Sequence, residues 1–195
     1  MGNLRSVTRA LEAAGTEVER RTHPGDGPLV LPGVGAFQDA MNGLRQRGLI
    51  EPIVDWIQTG RPFLGICLGL QLLFTKDYED GEHVGLGVIP GKVVRFHFSE
   101  EGTSEKLKVP HMGWNQIRFR KRDNPVLRSV PQDAYMYFVH SYYVCPEDEG
   151  VIATETEYGI PFTSMIWRNN VFATQFHPEK SQQYGLAILK NFGDL

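Results

Sequence analysis

The most apolar segment of this chain constrains its fold more than any other: FLGICLGLQLLF, residues 63–74, has a cysteine between two glycines. Gly65-Ile66-Cys67-Leu68-Gly69 has the spacing of a nucleophile elbow, in which the nucleophile occupies a strained turn between a buried strand and a helix. The neighbouring residues must be small there, because the strand and the helix approach closely. The segment predicts a strand before Cys67 and a helix after it that runs to about Thr75. The alternative is a cysteine simply packed in the core.

The pattern on either side of this segment predicts an α/β fold. Short apolar strands at 28–37 and 61–66 alternate with predicted helices at 4–14, 36–47 and 51–59, which is typical of a parallel sheet covered on both faces. Further strand-like segments separated by turn signals are 91–96, 114–119, 134–144, 151–158, 161–167 and 171–176, and a last helix is predicted at 181–192. We therefore expect a single domain, 1–195, with a mostly parallel central sheet flanked by helices and an added antiparallel portion.

Composition excludes several classes of function. The net charge is −3, with 22% charged and 41% hydrophobic residues, so nothing electrostatic favours nucleic acid or a membrane surface as a partner. No apolar run approaches the roughly 20 residues that cross a bilayer. Two cysteines in 195 residues argue against a disulfide-built secreted domain. We expect a cytoplasmic protein that binds neither nucleic acid nor membrane.

The sequence does not support three other kinds of site: a dinucleotide site, a phosphate loop and a metal site. GVGAFQ begins like a dinucleotide fingerprint, but Gln38 occupies the position of the third glycine. GVIPGKV resembles the end of a phosphate loop, yet Val93 replaces the Ser or Thr. The sequence has no C-x-x-C and no H-x-x-x-H pair. We therefore predict neither a cofactor nor a metal site.

The second candidate motif is QFHPEKS, residues 175–181. The preceding residues alternate as in a strand, so that strand presents His177 at its carboxyl end. Pro178 stiffens the turn, and Glu179 can reach the far imidazole nitrogen across it. A carboxylate there fixes the tautomer of the histidine and stabilises its protonated form. The alternative is a surface turn with a solvated glutamate.

The third candidate motif is PGVGAF, residues 32–37. Its glycines let a backbone N–H point into a site, as an oxyanion hole requires. The alternative is a plain tight turn before a helix.

Taken together, PGVGAF, GICLGLQLLF and FHPEKS resemble the motifs of the class I (triad) glutamine amidotransferases. VPHMGWN (109–115) and YFVHSYY (137–143) narrow the resemblance to the glutaminase subunits of imidazole glycerol phosphate synthase, an enzyme of histidine biosynthesis. The resemblance implies that the chain hydrolyses glutamine to glutamate and ammonia through a cysteine thioester. It also implies a heterodimer with a (β/α)8-barrel cyclase subunit, which uses the ammonia.

The resemblance implies a role for particular residues. Cys67 attacks the side-chain amide, His177 protonates the leaving ammonia, and Glu179 orients His177. The oxyanion donors are the N–H of Leu68 and a backbone N–H within Gly33-Val34-Gly35. The positions that match glutamine-binding residues are Gln71, Ser141 and Tyr142. The positions that match residues facing the cyclase are His111, Met112, Trp114, Tyr137 and Lys180.

The chain departs from this family at its start. Family members usually begin with a short apolar strand that leads into G-N-L, whereas this chain begins at Met1-Gly2-Asn3-Leu4. We expect the sheet to lack its first strand and the true start to lie upstream. Three alternative functions stay open: a glutaminase for another ammonia-using synthase such as pyridoxal phosphate synthase, a catalytically silent scaffold subunit, and a cysteine peptidase or esterase.

Overall fold

The computed structural model describes residues 4–98 and 107–195, which form five α-helices and twelve strands. The helices are α1 (Leu4–Ala13), α2 (Phe37–Gln46), α3 (Ile50–Gln58), α4 (Leu68–Gln71) and α5 (Gln182–Gly193). The strands are β1 (Leu29–Gly33), β2 (Phe63–Cys67), β3 (Phe74–Asp77), β4 (His83–Val84), β5 (Ile89–Arg95), β6 (His111–Gln116), β7 (Arg118–Phe119), β8 (Tyr135–His140), β9 (Tyr142–Pro146), β10 (Ile152–Tyr158), β11 (Ile160–Arg168) and β12 (Val171–Thr174).

The main sheet is mixed. Its strand order is β1-β2-β12-β11-β9-β5-β3-β4, with β10 and β7 continuing from β11, and β6 pairs with β8 in a separate two-stranded sheet. β1, β2 and β12 are mutually parallel, as are β3 and β5, whereas the remaining pairs are antiparallel. The predicted α/β class with an added antiparallel portion is confirmed. The carboxyl ends of β1, β2 and β12 meet at one edge, so residues that follow these strands lie close together.

Helices cover both faces of the parallel strands, which is why β2 is a continuous apolar run. Leu64 and Ile66 pack in a core with α1 and α5. Phe63, on the other face of the same strand, packs in a second core with α2 and α3. This alternation follows from the two-residue period of a strand.

The predicted helix from Cys67 to about Thr75 is wrong in its length. Helix α4 is a single turn that ends at Gln71, and Phe74 begins β3. The carbonyls of Leu72 and Leu73 accept from Leu86 N at 2.8 Å and from Ile89 N at 2.9 Å, so tertiary bonds replace the next helical turn. A short apolar run fits a buried strand as well as a helix, and periodicity cannot separate the two.

The predicted strand at 134–144 is two strands that belong to different sheets. β8 pairs with β6, whereas β9 pairs with β5 and β11. The chain changes sheet at Ser141, which lies between β8 and β9. This break directs the backbone of Tyr142 toward α4.

Candidate active site

Cys67 occupies a strained turn at the end of β2. Its φ of 54° and ψ of −107° lie in a region that non-glycine residues rarely adopt, and α4 begins at the next residue. A Cβ on Gly69 would collide with the carbonyl oxygen of Leu31, and a Cβ on Gly65 would lie 2.7 Å from the carbonyl oxygen of Gly69. The two glycines are therefore required by the close approach of strand and helix, and this packing holds Cys67 in its strained conformation.

His177 and Glu179 lie in a rigid turn beyond β12. Nδ1 of His177 donates to Oε1 of Glu179 over 2.8 Å, and the two side chains are only 2% and 1% exposed. The Oγ of Ser181 donates to the carbonyl of His177 at 2.6 Å and accepts from Tyr137 N at 3.0 Å. The turn thus holds both side chains in place with backbone and hydroxyl hydrogen bonds.

The environment of His177 favours its protonated form. Burial lowers the pKa of His177, but its interactions with Cys67 and Glu179 outweigh burial and raise the pKa to about 9. Nε2 of His177 is buried and makes no hydrogen bond to any residue of the described ranges. The site therefore pairs an imidazolium with the sulfur of Cys67, and Nε2 is free to exchange a proton with a substrate.

The glycine loop after β1 lies against this elbow. Gly33 is in register with Cys67, and a Cβ on Gly33 would lie 3.0 Å from Cβ of Leu68. Gly35 has a φ of 102°, so a side chain there would be strained. Gly33 and Val34 line a narrow gap beside the side chains of His177 and Glu179. This segment thus lies next to both the turn of Cys67 and the turn of His177.

Gln71 and Tyr142 are in direct contact beside Cys67. The Nε2 of Gln71 donates to the carbonyl of Tyr142 at 3.1 Å and to Oε1 of Gln175 at 3.1 Å. The carbonyl of Ser141 accepts from Phe96 N at 3.0 Å, which fixes the chain where it changes sheet. The structure therefore places all three residues with predicted glutamine contacts at the same edge as the nucleophile.

Charges of both signs lie near Tyr142. Burial raises the pKa of Tyr142, the nearby carboxylates of Glu79 and Asp80 raise it further, and Arg95 lowers it. Oε2 of Glu79 also accepts from Phe37 N at 2.6 Å, which ties this acidic segment to the start of α2. Tyr142 therefore lies within electrostatic range of carboxylates and of a guanidinium.

Four of the five residues predicted to face a partner lie together on one surface, where Tyr137 is half-buried and the other three are exposed. Met112 and Trp114 are 62% and 45% exposed. The rings of Trp114 and Tyr137 lie 5.9 Å apart, and Nζ of Lys180 lies 5.5 Å from the centre of the Tyr137 ring. Because Lys180 belongs to the turn of His177, this surface adjoins the site. We call these four residues the β6–β8 surface.

His111 differs from the other four, because its side chain lies beneath the β6–β8 surface. It is 3% exposed, and its Nδ1 lies 3.0 Å from Nε2 of His140, whose Nδ1 lies 2.8 Å from the carbonyl of Tyr142. A carbonyl can only accept, so His140 donates to Tyr142 and accepts from His111. Burial lowers the pKa of His111 to about 4 and that of His140 to about 3, so both rings are neutral at neutral pH.

Sequence reasoning missed Gln175. Its Nε2 lies 3.7 Å from Sγ of Cys67, and its side chain is fully buried. The residue belongs to the motif QFHPEKS, but the alternating pattern marks it only as a strand position. No local signal reveals that its partners are Cys67 and Gln71, which lie more than 100 residues earlier in the chain.

The remaining features do not add chemistry to the site. A groove of about 490 Å³, lined by residues that include Gly60, Arg168 and Val171, lies at the amino ends of β2 and β12, away from Cys67. In the part of the chain that the structure describes, no group of three or more His, Cys, Asp or Glu side chains is arranged to hold a metal ion. Every helix within 4–98 and 107–195 falls short of the length and apolar character that a membrane span requires.

Comparison with known proteins identifies the class to which this fold and site belong. The model of the family described as glutamine amidotransferase class-I matches residues 3–194, and the chain belongs to this family. One match is a solved glutamine amidotransferase structure. The alignment covers 100% of this chain and 95% of the solved chain, with 18% sequence identity and a TM-score of 0.72. A second match is the structure of PurLQS from Thermotoga maritima. That alignment covers 96% of this chain and 90% of the solved chain, with 17% sequence identity and a TM-score of 0.72. At these identities the two structures show the shared fold.

The curated relatives narrow the family to the HisH subunits of imidazole glycerol phosphate synthase. The HisH subunit of Syntrophotalea carbinolica is 54% identical over 199 residues, which cover 100% of this chain and 96% of the relative. That of Geobacter sulfurreducens is 52% identical, with 100% and 95% covered. That of Aquifex aeolicus is 51% identical, with 98% and 91% covered.

Proposed function

We propose that this chain is the glutaminase subunit of a cytoplasmic imidazole glycerol phosphate synthase of histidine biosynthesis, and that residues 1–195 act as one glutaminase domain. The observation that carries the proposal is the strained Cys67 with the buried His177–Glu179 pair beside it. A strained nucleophile and a histidine oriented by a carboxylate are the two elements that acyl transfer through a thioester requires. A silent scaffold subunit would have no need to maintain either of them.

In the first half-reaction the thiolate of Cys67 attacks the side-chain amide carbon of glutamine. The new C–S bond places negative charge on the amide oxygen, and backbone N–H groups of Leu68 and of the loop Gly33-Val34-Gly35 would stabilise that charge. His177 then transfers its Nε2 proton to the amide nitrogen, the C–N bond breaks, and ammonia leaves. Glu179 keeps the imidazole oriented throughout by accepting from Nδ1.

In the second half-reaction His177 acts as a base. Acylation removes the negative charge of the thiolate, and this charge is one of the interactions that hold the pKa of His177 at about 9. The imidazole, now neutral after giving up its proton, can take a proton from water, which attacks the thioester carbon. The C–S bond breaks, and glutamate leaves. The thiolate and the imidazolium are thereby regenerated.

Substrate selection is consistent with the charges around Tyr142. Free glutamine carries an α-ammonium and an α-carboxylate, and the site offers Glu79 and Asp80 together with Arg95 in that neighbourhood. Gln71 ends one turn after the nucleophile and lies against Tyr142, so it can contact a substrate bound between them. We assign Gln71 and Tyr142 to glutamine binding on this basis, and Ser141 because it precedes Tyr142 where the chain changes sheet.

The β6–β8 surface is the proposed site of the (β/α)8-barrel cyclase. Exposed aromatic and apolar side chains next to a reactive site are typical of a protein interface. Ammonia released into neutral water is mostly protonated and no longer nucleophilic, so a chain that supplies ammonia needs a partner sealed against its exit. Met112, Trp114, Tyr137 and Lys180 provide such a contact beside the His177 turn.

The test is glutamate release by the purified chain, measured with and without the cyclase subunit and its nucleotide-like substrate. The proposal expects slow release by the chain alone and strong stimulation by the loaded cyclase. A rate that is the same in both conditions would favour a stand-alone hydrolase.

A further inference from the structure

We infer that Gln175 is a further residue of the glutaminase site, which donates a side-chain N–H to Sγ of Cys67 and stabilises the thiolate. The inference rests on the proposed function, because it concerns the same nucleophile. The Nε2–Sγ distance is 3.7 Å, within the longer range that hydrogen bonds to sulfur occupy. Gln175 lies at the end of β12, where its own N–H donates to the carbonyl of Ser164 at 2.9 Å.

The hydrogen bonds around Gln175 determine which end of its amide faces the sulfur. The carbonyl of Tyr142 can only accept, so the atom of Gln71 that lies 3.1 Å from it is the NH₂ group. The second hydrogen of that NH₂ group then points at Gln175, and the atom that accepts it at 3.1 Å is Oε1. The remaining atom of the Gln175 amide, Nε2, therefore faces Cys67.

The reverse orientation of Gln175 is excluded by the same contacts. It would place two NH₂ groups against each other at the Gln71 contact and a carbonyl oxygen against the sulfur. The carbonyl of Tyr142 cannot accept a further hydrogen bond that would offset this repulsion. It already accepts from Nδ1 of His140 at 2.8 Å and from Nε2 of Gln71. A chain of fixed donors and acceptors thus ends in an N–H aimed at Sγ.

Burial strengthens the effect of this N–H on the sulfur. Gln175 is 0% exposed and Gln71 is 7% exposed, so solvent does not compete for the amide. An N–H stabilises a charged acceptor more than a neutral one, and therefore favours the thiolate over the thiol. His177 supplies the proton for the leaving nitrogen, whereas Gln175 stabilises the charge that remains on the sulfur.

The same N–H assists the second half-reaction. The sulfur is the leaving group when water cleaves the thioester, and negative charge returns to it as the C–S bond breaks. A donor already aimed at Sγ stabilises that charge as it develops. Gln175 should therefore contribute to kcat in both half-reactions and little to the affinity for glutamine.

The experiment compares Gln175→Met, which deletes the donor at similar length, with Gln183→Met, a matched change at an exposed position of α5. Both changes are made in a Cys145→Ser background, so that Cys67 is the only thiol. The first readout is the rate of Cys67 alkylation by iodoacetamide as a function of pH. The second is kcat and KM for glutamine in the complex with the loaded cyclase subunit.

We expect Gln175→Met to move the alkylation profile to higher pH and to lower kcat about 10- to 100-fold, the range for a hydrogen bond to a charged group, with KM changed less than about threefold. Gln183→Met should change neither readout. An alkylation profile that coincides with that of the control, in folded protein, would overturn the inference.

Two further measurements keep the inference testable if Gln175→Met does not fold. Gln175→Glu keeps the size of the side chain and an acceptor for Gln71, and its carboxylate should suppress alkylation more strongly than the methionine. In the Cys145→Ser chain with no other change, alkylation of Cys67 should shift the side-chain amide resonances of Gln175 but not those of Gln183. Unshifted Gln175 resonances would contradict the inference. Alkylation needs no glutamine, so it separates failure of this inference from failure of the proposed function.

Discussion

His177 donates its Nδ1 hydrogen to Oε1 of Glu179 over 2.8 Å, and both side chains are almost completely buried. A carboxylate without a proton can only accept, so this bond fixes the orientation of the imidazole and directs Nε2 toward Cys67. The bond spans only two residues along the chain, and the Pro178–Lys180 turn supports it. The proposed acid–base chemistry thus depends on a short, rigid and locally encoded structure.

Glu179→Gln should lower kcat about 10²-fold or more, the lower range for a general acid–base contribution, with little change in KM. The amide can still accept from Nδ1, but the negative charge that raises the pKa of His177 is lost, so that pKa should fall below about 9. Steady-state kinetics and an NMR titration of His177 measure the two effects. Glu12→Gln, at an exposed position of α1, is the control. An unchanged pKa of His177 in the folded variant would contradict the role of Glu179.

Gly69→Ala should lower the free energy of unfolding by about 1–3 kcal/mol, the range for overpacking. The added methyl group would collide with the carbonyl of Leu31 in β1, so β1 and α4 must move apart beside the elbow. Gly27→Ala is the control, because a Cβ on Gly27 meets no atom within 4 Å. Chemical denaturation of both variants measures the difference. Equal stability would show that the elbow tolerates a side chain.

Asp77→Asn should stabilise the fold at neutral pH. Burial raises the pKa of Asp77 to about 6, from 3.8, so the folded state holds this proton more tightly than the unfolded state does. The contribution of Asp77 to stability is therefore largest below pH 4, falls as the pH rises toward 6, and remains low above pH 6. Asparagine keeps an acceptor for Glu79 N and carries no charge.

Urea denaturation at pH 4, 6 and 7 tests the Asp77 prediction. The loss of stability between pH 4 and 6 should be smaller in Asp77→Asn than in the unaltered chain. Asp26→Asn is the control, because the side chain of Asp26 is fully exposed. A variant whose stability follows the same pH dependence as the unaltered chain would rule out the buried charge as its cause.

Trp114→Ala should raise the Kd for the cyclase subunit about 10-fold or more, since large aromatic side chains are typical hot spots of interfaces. Leu195→Ala is a control of similar exposure, at 51% against 45% for Trp114. Leu195 lies beyond the far end of α5, about 18 Å of helix from the His177 turn. Calorimetric titration with the cyclase measures both Kd values. Equal Kd values for the two variants would remove Trp114 from the interface.

The sequence contains the parts of the site that are local. The elbow needs small residues two positions from Cys67, and the His177–Glu179 contact needs a turn after a strand, so both patterns are visible in short motifs. The order of strands and helices likewise predicts the fold class. The roles of the residues stay proposals, but their proximity follows from parallel strands that end at one edge.

The sequence does not contain what depends on distant contacts. The end of α4 at Gln71 is set by hydrogen bonds from Leu86 and Ile89, and the apolar run itself fits either structure. The side chain of His111 is buried because one particular face of β6 packs against Phe138 and Tyr158. The contact of Gln175 with Cys67 joins residues 108 positions apart. Patterns within a short window cannot predict these three features.

The most direct measurement of the central claim compares two ammonia sources in the complex of Cys67→Ala with the cyclase subunit. Synthesis of imidazole glycerol phosphate from glutamine should disappear, because no thiolate remains to attack the amide. Synthesis from added ammonium salt should persist at the level of the unaltered complex, because the cyclase itself is intact. Glutamine-dependent synthesis that survives the substitution, or loss of both activities in a complex that still assembles, would contradict the role of Cys67.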